Sequence, residues 1–224
     1  MKIFVIIPSA GSGRRVKSSI PKQYIKLNGK EIIAYTIELF QKNSMIDGII
    51  VAAKKEYFGL INKIKNKYKF DKVIKIVEGG SHRQYSVLNA LNSLDAEEND
   101  LIVIHDAVRP LLPNEVLNRA IKSAKKYGNV VVAIKAKDTL IKGKRNIIDY
   151  VDRKNIYYVQ TPQIFRYKYL KKSFDNIKKE KFLGTDESVI VKRAGFNIKI
   201  VEGASLNFKV TDNTDVDLLR KILK

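Results

Sequence analysis

The sequence has no cysteine, which removes disulfides, thiolate catalysis and cysteine-ligated zinc from consideration. Histidine is nearly as scarce. His82 and His105 are the only two, so a site built from several histidines is excluded. A metal here would have to be a hard, oxygen-bound ion such as Mg²⁺, held by few carboxylates and by the phosphates of a substrate. No stretch approaches the roughly 18 consecutive apolar residues that cross a bilayer. The opening run Ile3 to Ile7 is too short for a secretory h-region and is closed by Pro8. The chain is therefore expected to work in the cytoplasm, with no membrane partner.

Acidic residues are in deficit: 23 Asp and Glu face 43 Lys and Arg, a net charge of +20. Such an excess suits a nucleic-acid binder, whose cations displace counterions along a phosphate backbone. It also suits a lysine-rich surface around a smaller site for phosphorylated ligands. The lysines occur in segments such as Asn62 to Lys75 and Tyr167 to Lys181, interleaved with apolar residues at helical or strand spacing. No zinc-finger spacing or aromatic RNA-binding signature accompanies them. The second reading is favoured, and no nucleic-acid partner is expected. With 224 residues, 45% of them hydrophobic, the chain suits one sizeable domain better than two.

Short β-branched runs alternate with helical patterns through the first half. Lys2 to Pro8 reads as a buried strand, Glu31 to Gln41 as an amphipathic helix, Asp47 to Ala53 as a strand and Tyr57 to about Tyr68 as a helix. Val73 to Val77, His82 to Leu94 and Leu101 to His105 continue the rhythm. Asn114 to Lys126 places Val116, Leu117, Ala120, Ile121 and Ala124 on one helical face, with Asn114 as its N-cap. This alternation predicts a mostly parallel sheet with helices on both faces.

The rhythm breaks after Val130. Val131 to Ile134, Thr139 to Ile141, Asn146 to Val151 and Tyr157 to Gln160 are short β-like pieces separated by Gly143 and charged turns. They read as a β-arm, at about 135–160, inserted into a single α/β domain spanning 1–224. A small sheet with exposed edges needs a cover, and a second subunit is one way to supply it. Helical patterns resume at Tyr167 to Lys178 and Thr185 to Arg193. Strands follow near Ile198 to Val201 and Asn207 to Val210, then a terminal helix from Thr214.

Three segments carry chemistry. After the first strand comes Ser9-Ala10-Gly11-Ser12-Gly13-Arg14-Arg15, followed by Pro21-Lys22-Gln23. A glycine-rich turn there lets backbone N–H groups approach an anion closely. A Rossmann fingerprint would need a third glycine where Val16 stands. A Walker A loop would need Ser or Thr after Gly29-Lys30, where Glu31 stands. What remains is a small-residue loop with Arg14, Arg15 and Lys22, suited to wrapping a triphosphate or, more blandly, to an ordinary βα turn.

The second segment, Ile102 to Pro110, is an apolar strand ending in His105-Asp106. Asp106 then lies at the carboxyl edge of the sheet, where open α/β sheets bind ligands. One carboxylate there can hold Mg²⁺ against phosphates, and Arg109 can meet a phosphate with its planar fork. In isolation the segment reads more simply as Asp106 capping the next turn, with Arg109 paired to it. The third segment, Gly79-Gly80-Ser81-His82-Arg83-Gln84-Tyr85-Ser86, lies between a strand and a helix and suits a base or phosphate. Nothing marks an acid–base partner for His82, which reads as a surface histidine at a helix start.

Together these segments resemble the 2-C-methyl-D-erythritol 4-phosphate cytidylyltransferases of the non-mevalonate isoprenoid pathway, over nearly the whole chain and in motif order. That family's A-A-G-x-G-x-R-M and P-K-Q elements look like Ser9 to Val16 and Pro21 to Gln23. Its G-G-x-x-R-x-x-S and H-D-A-A-R-P elements look like Gly79 to Ser86 and His105 to Pro110. Asp138-Thr139, Val151-Asp152-Arg153, Thr161-Pro162-Gln163, Thr185-Asp186-Glu187 and Asn207 to Thr211 match the remaining ones. Ser9, Val16, Val108 and Phe208 depart from the pattern but leave its charged groups intact.

The resemblance implies a Rossmann-like fold of the nucleotide-diphospho-sugar transferase type and transfer of a cytidylyl group from CTP to the polyol phosphate. It makes Arg15, Lys22, Arg153 and Lys209 the catalytic cations. Ala10, Gly11, Gly13, Arg14, Gly80, Ser81, Arg83 and Ser86 would bind CTP, and Asp106 would hold Mg²⁺ or another divalent cation. Arg109, Thr139, Arg153 and Thr185 would bind the polyol phosphate, Arg153 reaching across a homodimer through the β-arm. Ribitol-5-phosphate cytidylyltransferases share the loop and the H-D-A-x-R-P element. However, Val151-Asp152-Arg153 and Thr185-Asp186-Glu187 look more like the methylerythritol enzymes. A basic nucleic-acid-binding domain is the alternative from another class, and Arg15, Lys22 and Lys209 argue against a catalytically silent homologue.

Overall fold

The computed structural model describes residues 1–13, 16, 18–180 and 182–223. In chain order its elements are β1 (Ile3–Pro8), the short hairpin β2 (Lys26–Leu27) and β3 (Lys30–Glu31), α1 (Ile32–Lys42), β4 (Gly48–Ala53), α2 (Phe58–Lys67) and β5 (Val73–Glu78). Then follow α3 (Arg83–Asn92), β6 (Leu101–Ile104), α4 (Asn114–Tyr127), β7 (Asn129–Lys135), β8 (Leu140–Gly143) and β9 (Ile147–Val151). The chain continues through β10 (Tyr157–Arg166), α5 (Tyr167–Glu180), α6 (Glu187–Arg193), β11 (Lys199–Glu202) and α7 (Asn213–Ile222).

Seven strands form one sheet in the order β11-β7-β10-β6-β1-β4-β5. Every neighbouring pair is parallel except those of β10, which runs antiparallel to both β6 and β7. The sheet is thus mostly parallel, with helices on both faces. The unbroken apolar run of β1 follows from its central place. Ile3, Val5 and Ile7 enter one core with Ile33, Ile37 and Phe40 of α1 and Val116, Leu117 and Ile121 of α4. Phe4 and Ile6 enter the other, with Val87 and Leu91 of α3, Leu170 and Phe174 of α5 and Ile190 of α6. Each fully buried aliphatic side chain contributes about 1.5–3 kcal/mol, so a polar residue at any of these positions would be costly.

Three expectations need correction. Asn114 does not cap α4. Pro113 occupies the cap position without a side-chain bond, while the Asn114 carboxamide oxygen accepts from Asn43 Nδ2 at 2.8 Å and ties α4 to the end of α1. The arm is also shorter than 135–160. Val131 to Ile134 and Tyr157 to Gln160 belong to the main sheet, where Tyr158 faces Ile134 in the β7–β10 ladder. Only β8 and β9 project from it, and the bond from Ala136 N to Ile156 O at 2.9 Å closes the neck. Finally, Asn207 to Val210 is not a strand. It runs past the carboxyl end of β6 and the middle of β10, held by Asn207 Nδ2 on Thr161 O at 2.7 Å and by Val210 N on Val108 O at 2.9 Å. This side-chain anchoring brings Lys209 to Asp106.

Candidate active site

The first wall of the site is the loop that leaves β1. Its shape is imposed from behind by Gln23, whose Nε2 donates to Ser9 O at 2.7 Å and to Gly11 O at 2.9 Å. Tyr24 shares a hydrogen bond with Ser9 Oγ at 3.1 Å, and burial pushes the tyrosine hydroxyl up to about 12. At the loop's end Gly13 has φ +66, and a Cβ there would meet Lys22 Cγ at 3.0 Å. Glycine thereby lets the aliphatic stem of Lys22 pack against the loop.

The second wall is the turn from β5 into α3. A Cβ on Gly79 would lie 2.4 Å from Ala10 Cβ, so the two loops touch only because this residue is glycine. Ser86 organises the turn by accepting from Gly80 N at 3.1 Å and donating to His82 O at 3.2 Å. His82 is exposed at the N-terminus of α3, the surface position expected of it.

Asp106, just past β6, is the centre. Its carboxylate is almost fully buried yet touches three cations. Arg83 Nε lies 3.1 Å from Oδ1, while Arg109 Nε at 3.2 Å and Lys209 Nζ at 3.1 Å both meet Oδ2. Burial alone would raise this carboxyl, but Arg83, Lys209 and Arg109 outweigh it and hold it well below the usual carboxylate range. Arg83 also places Nη1 2.6 Å from Glu187 Oε2. Burial would lower the arginine, and the carboxylates of Glu187 and Asp106 more than restore its hold on the proton. Glu187 itself is raised by burial, with Arg83 offsetting part of the effect.

Behind Asp106 the proton positions follow from the bonding of His105 together with its neutral, buried state. Arg109 O can only accept, so His105 Nε2, 3.0 Å away, carries the hydrogen. His105 Nδ1 is then the acceptor for the hydroxyl of Thr161 at 3.1 Å. Thr161 Oγ1 in turn accepts from Asp106 N at 3.1 Å. Burial lowers His105 from its ordinary value to about 4, which keeps the imidazole neutral in this chain of bonds.

These walls enclose a cavity of about 440 Å³, enough for one small ligand. Of the residues expected at the site, Ala10, Gly11, Gly13, Lys22, Gly80, Ser81, Arg83, Ser86, Asp106 and Lys209 line it. Arg14 and Arg15 lie outside the described residues. Arg109 does not line the cavity. The turn after Asp106 folds its side chain back, buried, with Nη1 on Asn207 O at 2.7 Å and Nε on Asp106. Thr139, Arg153 and Thr185 are exposed and are likewise not part of this chain's own cavity wall. Arg153 sits at the arm, with Nη1 donating to Lys137 O.

Sequence reading missed Gln23, Thr161 and Glu187 as functional parts. All three appeared only inside motifs, and nothing but packing reveals that Glu187 is fully buried. A divalent cation is compatible with this donor set in one way. Among the described residues no three His, Asp or Glu side chains gather as a metal site, so Asp106 would be joined by phosphate oxygens of a ligand rather than by further side chains. Lys209, 38% exposed, has room to withdraw from Oδ2.

The profile of the 2-C-methyl-D-erythritol 4-phosphate cytidylyltransferase family matches residues 3–224. A protein of that name from Geobacter metallireducens is 38% identical over 228 residues, covering 100% of this chain and 98% of its own. One from Clostridium acetobutylicum is 39% identical, covering 98% and 96%. Among solved structures, the Francisella tularensis 2-C-methyl-D-erythritol 4-phosphate cytidylyltransferase superposes with a TM-score of 0.84 at 31% identity, covering 99% of each chain. The 4-diphosphocytidyl-2C-methyl-D-erythritol synthase of Anaerococcus prevotii gives 0.86 at 28% identity, covering 99% and 98%.

Proposed function

This chain belongs to the 2-C-methyl-D-erythritol 4-phosphate cytidylyltransferase family, and from that premise we propose that the cavity beside Asp106 is where it joins CTP to its second substrate. The reaction is cytidylyl transfer to 2-C-methyl-D-erythritol 4-phosphate. No relative reported above carries the ribitol name, and that alternative is not favoured. The observation that carries the site assignment is one cavity lined by a glycine-shaped loop and Lys22, in which Arg83 and Lys209 meet a buried carboxylate.

The chemistry asks for little else. A phosphate monoester has its second pKa near about 6, so the nucleophile is already anionic at neutral pH and needs no general base. Its oxygen forms a bond to the α-phosphorus of CTP, the bond to the bridging oxygen breaks, and pyrophosphate leaves. The barrier lies in bringing two anions together. Fixed donors aimed at the developing charge typically contribute about 3 kcal/mol each, a task for Lys22 and Lys209. Gln23 holds the loop that would cradle the triphosphate, and Gly80, Ser81 and Ser86 supply small polar surface for the nucleoside. Arg14 and Arg15 are assigned to the phosphates from their motif alone.

Mg²⁺ or another divalent cation, held by Asp106 and the triphosphate, would neutralise phosphate charge when bound. The second substrate's phosphate is assigned to Thr139, Arg153 and Thr185, while Arg109, expected there from its motif, is buried on Asp106 and Asn207 O and acts from behind by holding the carboxylate. Because Thr139 and Arg153 stand on or beside the arm, we assign Arg153 to the cavity of a second copy in a homodimer. Apolar exposure on the arm supports that contact: Ile148 is 69% and Tyr150 64% exposed. No helix among the described residues is long and apolar enough to cross a membrane, and the cytoplasm, where CTP is available, is the proposed compartment. Pyrophosphate release on mixing CTP, Mg²⁺ and the polyol phosphate tests the assignment. Loss of that release in Asp106→Asn with the fold intact is expected, and undiminished turnover would refute it.

A further inference from the structure

Two atoms of the Asp106 cluster are buried without a hydrogen-bond partner among the described residues, and they belong to one ion pair: Nη2 of Arg83 and Oε1 of Glu187. One is a donor and the other an acceptor. An arginine fork commonly meets a carboxylate through two parallel bonds. Here the guanidinium is split instead, with Nε on Asp106 Oδ1 at 3.1 Å and Nη1 on Glu187 Oε2 at 2.6 Å. A swing of the guanidinium wholly onto Glu187 would pair both unsatisfied atoms and uncover Asp106 Oδ1. That oxygen is the one Arg83 alone blocks among the described residues, because Arg109 and Lys209 both sit on Oδ2.

Glu187 is held in place to receive it. It is the first residue of α6 and fully buried. Asp186 fixes the helix start by accepting from Val189 N at 3.1 Å. Gln163, itself buried in β10, accepts from Ser188 N at 2.9 Å. A buried carboxylate held this firmly beside a single cation is tolerable only while that cation stays with it.

We propose that Arg83 has two positions. It is shared between Asp106 and Glu187 in the free protein, and bidentate on Glu187 once Asp106 takes up a divalent cation with the nucleotide. Glu187 is the positioning residue that makes the second position available. The inference rests on reading the cavity as the CTP site.

Calorimetry on the full chain tests it, using CTP with Mg²⁺ and CTP in EDTA as the two titrants. Glu187→Gln keeps the volume but cannot accept the fork at both atoms. Its binding of CTP with Mg²⁺ is expected to weaken roughly 10-fold or more, as with other groups that orient a metal's protein ligands, while CTP in EDTA binds as before. Equal weakening in both titrations, or none in either, overturns the inference and leaves the nucleotide reading standing. A wild-type chain that binds no CTP overturns both. Should the variant fail to fold, a crystal structure of the wild-type protein with CTP and Mg²⁺ decides. Nη2 of Arg83 hydrogen-bonded to Glu187 Oε1, with Nε gone from Asp106, is the expected arrangement, and an Arg83–Asp106 contact unchanged from the free protein overturns it.

Discussion

Lys209 Nζ lies 3.1 Å from Asp106 Oδ2, joining a segment near the C-terminal end of the chain to the end of β6, in the middle of the sheet. The lysine is 38% exposed while the carboxylate is 8% exposed, so the cation is the mobile partner and the anion the fixed one. A lysine free to move from a carboxylate to an incoming phosphate suits a group that acts on developing charge.

Lys209→Met should therefore lower kcat roughly 100-fold, the scale of removing one oxyanion donor. The KM for CTP should change much less. Steady-state pyrophosphate release separates the two, and a rise in KM alone would recast Lys209 as a binding group.

Gln23 is a structural clamp rather than a substrate contact. Gln23→Leu leaves Gly11 O without a donor and Ser9 O with only the long bond from the Tyr24 hydroxyl. A stability loss of about 1–3 kcal/mol in urea unfolding is expected, together with a raised KM for CTP as the loop loosens. An unchanged midpoint and KM would remove the clamp from the account.

Acid should weaken the fold through His105. Burial lowers its pKa from the ordinary 6.5 to about 4, so between those values the unfolded chain binds a proton that the folded chain refuses. The stability present above 6.5 is lost as pH falls toward 4, at up to about 1.4 kcal/mol per pH unit. Glu187, raised in the folded state, works in the opposite sense in the acid range, so the comparison must isolate the histidine. Denaturant melts of the wild type and His105→Gln across this window provide it. The variant should show a shallower fall, and identical slopes would contradict the neutral, buried imidazole.

The arm yields a mixing experiment. If Arg153 of the partner subunit completes each site, Arg153→Ala and Lys209→Met are each nearly inactive alone. After mixing and subunit exchange they should regain activity, because a hybrid pair contains one site with both residues intact. No recovery, with exchange confirmed by light scattering of tagged chains, would place Arg153 outside its neighbour's cavity.

How much of this was legible in the sequence follows from where each signal resides. β1 and β6 were readable because both faces of a central parallel strand are apolar. The cavity walls were readable because glycines and a strand-end aspartate mark them locally. β7 and β10 were misgrouped with the arm because short β-branched runs say nothing about which strand they pair with. Asn207 to Val210 looked like a strand by composition, but the buried Asn207 carboxamide, not a ladder, holds it in place. Glu187 reads as one more acidic residue in a helix's first turn, a position that favours acids anyway. Its burial and its grip on Arg83 arise only when α6 packs on the sheet.

The central claim is that this cavity transfers a cytidylyl group to a methylerythritol phosphate. The most direct measurement is pyrophosphate release from CTP and Mg²⁺, offering 2-C-methyl-D-erythritol 4-phosphate and ribitol 5-phosphate in parallel. Release with the first and none with the second is the predicted result. Release with ribitol 5-phosphate alone, or silence with both, would contradict it.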